Sequence, residues 1–514
     1  MERNENNILR EVLSPSEEKF ERWRREIGLF TGPALFFLIY FIPIPSLSKE
    51  AHTLAAVLGL VLIFWLSEAI PIPATAILGA ILNVILGVAP AKEVFAPFAD
   101  PIVFLFIGSF ILAEAITLHG LDKRFAFAIF SIKFIGESPY RVLFACGLIA
   151  AVVSMWVSNT AATAMMLPIT LGVLHAMDEI HREAGRVSNI RGSSYATGMM
   201  LIIAYGASVG GIATPIGTPP NLIGIGLIQS LAGLKITFFE WMTFALPLTM
   251  IMFVLLYLVI LFLHPPRMIK LEGMRGYVEL AQARLGTWKV GEINTAVAFS
   301  AAVFLWIFPS IVSMFYGKDS GISKFLSGRF DEGVVAVMAA VLLFILPVSW
   351  KEKKFTITWE RAVKIDWGTI LLFGGGLSLG KLMFSTGLAE VIGKGLTEVT
   401  GASSLWGITA IATFMAIVVS ETTSNTASAN MVIPIMIALA NGAGVSPIPP
   451  ALGACLGASF GFMLPVSTPP NAIVYGSGLV PILRMVRAGI VFDILGFLII
   501  VGGLMVLCPL MGWM

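Results

Sequence analysis

The sequence predicts an all-α polytopic membrane protein of about eleven transmembrane helices plus two re-entrant hairpins, arranged as an inverted repeat. Three observations predict it. Of 514 residues, 57% are apolar and 12% are charged, with a mean hydropathy of +0.89. Soluble chains average about 25% charged residues, so the surplus apolar surface needs lipid as its solvent. The apolar residues also fall into runs near the ~20 that a spanning helix requires, parted by short polar or Pro/Gly-rich breaks. Finally, two polar signatures each occur twice, in the same order in both halves.

Residues 1–27 hold six Lys/Arg and seven Glu, and the first apolar stretch begins only near Gly28. That is too late and too long for a signal peptide. The segment reads as a cytoplasmic amphipathic lead-in or a solvated tail. The first half, 28–263, is expected to hold spans at 28–47, 51–70, 72–89 and 100–120, then a hairpin over 141–177 whose polar tip is 158–160. A helix over 195–233, broken at Thr214 to Asn221, and a span at 241–263 complete it. A cytoplasmic linker, 264–292, leads to the second half, 293–514. This half repeats the scheme with spans at 293–314, 331–348 and 366–386, a hairpin over 403–441, a broken helix over 450–480 and a span at 488–512. Each hairpin arm is expected to be too short to cross alone.

Loop charge tests the layout, because cytoplasmic loops are enriched in Lys and Arg. With the N-terminus inside and both hairpins returning to the side they left, 25 of the 33 basic residues fall in cytoplasmic segments and seven outside. The C-terminus is then outside, and the location is the cell membrane. Reading either hairpin as a single crossing would collapse the bias.

Residues Val152 to Ile169 match Val418 to Ile435 at ten of eighteen positions, including Ser158-Asn159-Thr160 and Ser424-Asn425-Thr426. Thr218-Pro219-Pro220-Asn221 recurs as Thr468-Pro469-Pro470-Asn471. An odd number of crossings separates equivalent points, so the halves are inverted: the first hairpin opens to the cytoplasm, the second to the outside. Interrupted segments at matching places of an inverted duplication point to a transporter's midplane site. An anion channel is the alternative, although nothing resembles a selectivity filter.

Ser, Asn and Thr are favoured N-cap residues, and Pro suits the first helical turn, so all four signatures read as helix starts. Four half-helix N-termini at roughly +0.5 charge each give at most roughly +2 without a single ammonium or guanidinium. That suits a dianion. The amides of Asn159 and Asn425 and the hydroxyls of Thr160, Thr426, Thr218 and Thr468 would donate to its oxygens. An unwound tip also leaves oxygens in need of a partner at membrane depth. Sodium would supply one, at Ser154, Ser158, Asn159 and Gly217 in one half and Ser420, Thr423, Asn425 and Ser467 in the other.

The paired Ser-Asn-Thr tips, the run Ser420 to Ala427 and the two Thr-Pro-Pro-Asn breaks resemble the divalent anion:sodium symporter family of dicarboxylate, citrate and sulfate carriers. The resemblance covers nearly the whole chain beyond residue 28. It implies a homodimer, each protomer with a scaffold and a transport domain moving as an elevator. It also implies that Asn159, Thr160, Thr218, Pro219, Asn425, Thr426, Thr468 and Pro469 contact substrate, and that the oxygen sets above bind Na+. The function expected is sodium-coupled uptake of a small divalent anion such as succinate; sodium-independent dicarboxylate exchange is the alternative.

Other chemistries find little support. A net charge of +2 gives no basic field for nucleic acid, and three cysteines are no disulfide framework. The five histidines share no metal-ligand spacing, there is no Walker motif, and neither Ser158 nor Ser424 has a nearby base in sequence. No enzyme activity and no organic cofactor are expected. Glu421, beside the second tip, is expensive at membrane depth and is expected to anchor hairpin backbone rather than carry protons.

Overall fold

Lipid offers no hydrogen bonds to backbone groups, so a spanning chain must satisfy them within helices. In the computed structural model, which describes residues 15–132, 135, 138–183, 193–266, 274–401 and 403–514, helices dominate. One small antiparallel pair, Pro347–Ser349 with Lys354–Phe355, joins two of them. Among the described residues, seven helices are long and apolar enough to cross a membrane: Lys49–Ser67, Ala91–His119, Phe238–Leu263, Val290–Tyr316, Trp367–Ser385, Leu405–Thr422 and Ile482–Met511.

Seven helices of spanning length are fewer than the eleven spans expected, although helices occupy each expected stretch, with four differences. The 72–89 and 331–348 spans are 14-residue helices, Ile72–Ile85 and Glu332–Ile345, because Gly87 and Pro347 close the runs early. No boundary separates a lead-in from the first span: one helix, Pro15–Phe41, runs through residue 27, and residues 1–14 lie outside the described residues. The 264–292 linker contains a helix, Met274–Leu285. Finally, only one of the four hairpin arms is short: Pro139–Ser154 has 16 residues, whereas Asn159–Glu183 has 25 and Asn425–Gly442 has 18. Leu405–Thr422 has 18 residues, about 27 Å at 1.5 Å per residue. The chain reverses there because the tip residues cap a new helix, Asn425–Gly442, not because the apolar run ends.

Packing repeats between the halves. Pro139–Ser154 lies on Ser194–Gly211, and Leu405–Thr422 lies on Ile448–Gly457. Pro101–His119 packs on Glu332–Ile345, and Trp367–Ser385 on Ile72–Ile85. The second pairing explains two glycines at equivalent places of the duplication, each two residues after a Phe (Phe106 and Phe373): a Cβ on Gly108 would lie 2.3 Å from the Ala336 carbonyl carbon, and one on Gly375 would lie 2.6 Å from the Ala76 Cβ. Each short helix beyond a break leans on the other half's hairpin. Pro219–Leu227 contacts Asn425–Gly442, and Pro469–Gly476 contacts Asn159–Glu183. This exchange brings all four signatures to one place.

Candidate functional site

Both hairpins end as their residues dictate. Ser158 Oγ accepts from Ala161 N and Ser424 Oγ from Ala427 N, each at 3.2 Å, capping the helices Asn159–Glu183 and Asn425–Gly442. The breaks also end in helix starts, Pro219–Leu227 and Pro469–Gly476. Thr468 caps its helix through Asn471 N at 3.4 Å. The Thr218 side chain makes no cap bond, which leaves its hydroxyl available.

The four helix starts surround a cavity of about 500 Å³. Its wall includes all eight residues expected to contact substrate: Asn159, Thr160, Thr218, Pro219, Asn425, Thr426, Thr468 and Pro469. Lys364 is the basic residue on that wall, with Glu114 and Asp366. Glu114 pairs with Arg361 at 3.7 Å, and Asp366 caps its own helix through Thr369. Lys364 therefore adds one cationic side chain, not expected from the sequence, to the four helix N-termini that face an anion.

The oxygens expected to hold a cation divide into three groups. Ser158, Asn159, Gly217, Asn425 and Ser467 line the cavity. Ser154 and Ser420 lie behind it, fully buried. Ser154 Oγ donates to Asn159 Oδ1 at 2.6 Å, which fixes that amide with its nitrogen free. Ser420 Oγ lies 2.7 Å from both Asn425 Oδ1 and the Ala458 carbonyl. One hydroxyl proton cannot serve two acceptors, so oxygen lone pairs are left in excess, as a hard cation requires. Thr423 departs from the expected set: its hydroxyl donates to the Trp65 carbonyl at 3.1 Å.

Glu421 is an anchor, though of a different backbone from the one expected. It accepts from Met463 N at 2.8 Å and from Ser467 Oγ at 2.7 Å, both in the broken segment rather than in the hairpin. The Asp493 carboxyl lies against it.

Sequence reasoning missed the side chains that hold the breaks open. Asn221 Nδ2 shares its two protons among the carbonyls of Gly211, Ile212 and Thr214, at 2.9, 3.3 and 2.7 Å. Asn471 Nδ2 does the same for Gly461 and Leu464 at 2.9 and 3.0 Å. The signal was there, as the final letter of each Thr-Pro-Pro-Asn, and the amide is what lets a helix unwind in an apolar setting. Asn221→Ala orphans buried carbonyls at about 1–3 kcal/mol each. The variant is expected to unfold in detergent several degrees below the parent; an unchanged midpoint would contradict the role.

A polytopic helical bundle enclosing a polar cavity between two capped hairpins is the architecture of a membrane transporter. The chain belongs to the sodium:sulfate symporter family, whose transmembrane region matches residues 24–514. It is a transporter rather than an enzyme, and the resemblance carried by the paired motifs holds. It is 35% identical over 478 residues to the sodium-dependent dicarboxylate transporter SdcS of Staphylococcus saprophyticus, covering 92% of this chain and 90% of that protein. It is 32% identical over 479 residues to SdcS of Staphylococcus aureus, covering 92% and 89%. Among solved structures, the Alcanivorax borkumensis YdaH transporter overlaps 96% of this chain and 98% of its own, at 13% identity and a TM-score of 0.49.

Proposed function

We propose that this protein is a secondary active transporter coupling sodium to the uptake of a small divalent anion, a C4-dicarboxylate such as succinate. The observation that carries the reading is the convergence of four helix N-termini and both Asn amides on one cavity. A dianion gains hydrogen bonds and dipole stabilisation from every side there, while the oxygen-rich backs of the tips suit sodium. The sodium-dependent dicarboxylate carriers to which the chain is similar support the same substrate and ion.

The working cycle in this reading is an elevator in a homodimer. The helices Pro15–Phe41 through Pro101–His119 and Val290–Tyr316 through Trp367–Ser385 form a scaffold. The two hairpins, the two broken helices, Phe238–Leu263 and Ile482–Met511 form the moving domain. The matched contacts of the two halves support an inverted repeat. Lys364 and Asp366 border the cavity and belong to a segment that the basic-residue bias assigns to the cytoplasm, which supports an inward-facing cavity, with the N-terminus inside and the C-terminus outside in this reading.

Purified protein in liposomes tests the coupling. Succinate uptake into empty vesicles is expected to rise with external sodium and to fall by about tenfold or more in potassium alone, since loss of both bound cations leaves the anion's charge uncompensated. Uptake unchanged in potassium would remove sodium coupling; uptake only into vesicles preloaded with dicarboxylate would identify an exchanger.

A further inference from the structure

The two hairpin tips meet the proposed scaffold by different chemistry. At the first, Trp156 stands edge-on to Phe299 of Val290–Tyr316, ring centroids 5.1 Å apart. In the duplication, Thr422 takes the place of Trp156 and Thr423 that of Val157. Thr423 Oγ1 donates to the Trp65 carbonyl at 3.1 Å, near the end of Lys49–Ser67. The Thr422 carbonyl accepts from Arg24 Nη1 at 2.8 Å.

Arg24 is held in place from two sides. Its Nη2 lies 2.7 Å from Glu21 and 3.3 Å from Glu68. Glu68 ends its helix at φ 50, a left-handed backbone that few residues other than glycine, asparagine and aspartate adopt; there its carboxylate reaches both Arg24 and Arg25. Thr422 is the last residue of Leu405–Thr422. The closing carbonyls of a helix lack intrahelical partners and carry the negative end of its dipole, so a cation at that point satisfies both. Arg24 comes from Pro15–Phe41, a helix outside the matched pairs of the two halves.

We propose that Arg24 is a positioning residue for transport, which together with Thr423 latches the second hairpin tip to the scaffold in this conformation and releases it when the hairpins move. The latch rests on the moving-domain reading above. Displacement by a single helical turn, about 5.4 Å, parts both contacts. The held residues adjoin Ser424, Asn425 and Thr426, so making and breaking the latch bears directly on the tip that faces the anion. The first tip, docked by ring packing, slides without losing a hydrogen bond.

Cross-linking separates the latch from the reading beneath it. One double variant carries Arg24→Cys and Thr422→Cys; a second carries Lys235→Cys and Asp331→Cys, replacing an ion pair of 3.2 Å between the moving and fixed parts. Cys146, Cys455 and Cys508 are buried and do not compete. A reducible bis-methanethiosulfonate linker is expected to cut succinate uptake by about tenfold or more in both variants, with recovery on reduction, because one conformation is removed from exchange. Full uptake with only the 24–422 pair locked overturns the latch. Full uptake with both pairs locked overturns the moving domain and the latch with it. In the second variant's background, Arg24→Ala is expected to lower the cross-linked fraction by about threefold, as loss of a charge-assisted hydrogen bond shifts the population, while Arg24→Lys retains most of it. A fraction unchanged by Arg24→Ala contradicts the proposal, since a residue that merely braces its own helix would leave it unmoved.

Discussion

Replacing either tip asparagine with alanine, Asn159→Ala or Asn425→Ala, is expected to lower dicarboxylate uptake by about 100-fold or more while leaving the protein folded. Each amide sits where three demands meet. The residue lines the cavity, its amide oxygen belongs to the set proposed for the cation, and it opens the second arm of its hairpin. Losing one hydrogen bond to a charged group removes about 1.5–3 kcal/mol, and about 2.7 kcal/mol is already 100-fold. A second loss follows at the first tip, where Ser154, fully buried, loses the acceptor that its hydroxyl now uses, Asn159 Oδ1. Helix capping is untouched, because Ser158 and Ser424 supply it. Proteoliposome uptake read beside the elution profile and melting midpoint would check this; near-normal uptake by either variant would refute the assignment.

How much of this site could be read from sequence depends on whether its cause is local. Helix starts are local: Ser-Asn-Thr and Thr-Pro each state their own conformation, and the duplication makes four weak statements agree. The cavity wall therefore contained every residue expected on it. Contacts made across the fold carry no such mark. Nothing near Thr423 indicates that its hydroxyl turns to Trp65, 358 positions away. Nor does the mixed-charge composition of residues 15–27 reveal that Arg24 reaches a hairpin tip 398 positions on. The length of three of the four hairpin arms was misjudged for a related reason, since apolar length sets what a helix can span but not where capping residues stop it. Glu421 was placed correctly as an anchor and wrongly as to its partner, because only the folded chain brings Met463 and Ser467 beside it.

Gly211 and Gly461, each ten residues before the Asn of its Thr-Pro-Pro-Asn, offer the sharpest contrast between the two halves, and alanine there is expected to act very unequally. A Cβ on Gly211 would fall 2.3 Å from Asn159 Oδ1 and 3.2 Å from the Gly217 carbonyl oxygen. One on Gly461 meets the Ser420 carbonyl and Ser467 Cβ at 3.2 Å and Asn425 Oδ1 at 3.4 Å. Gly211 closes the helix Ser194–Gly211 and its φ is not positive, so alanine suits its backbone and gains up to about 1 kcal/mol of helix propensity. Stability should therefore hold. The clash is relieved by moving the Asn159 amide, the group proposed to face both anion and cation, and a shift near 1 Å in such a group can cost about 100-fold. Gly211→Ala is thus expected to lose uptake by about 100-fold with an unchanged melting midpoint, and Gly461→Ala to stay within about threefold of the parent, as a few tenths of an ångström of adjustment allows. Equal losses from both, or unfolding by Gly211→Ala, would mean that the tip amides are not held by these close approaches and that the first cation set is built otherwise.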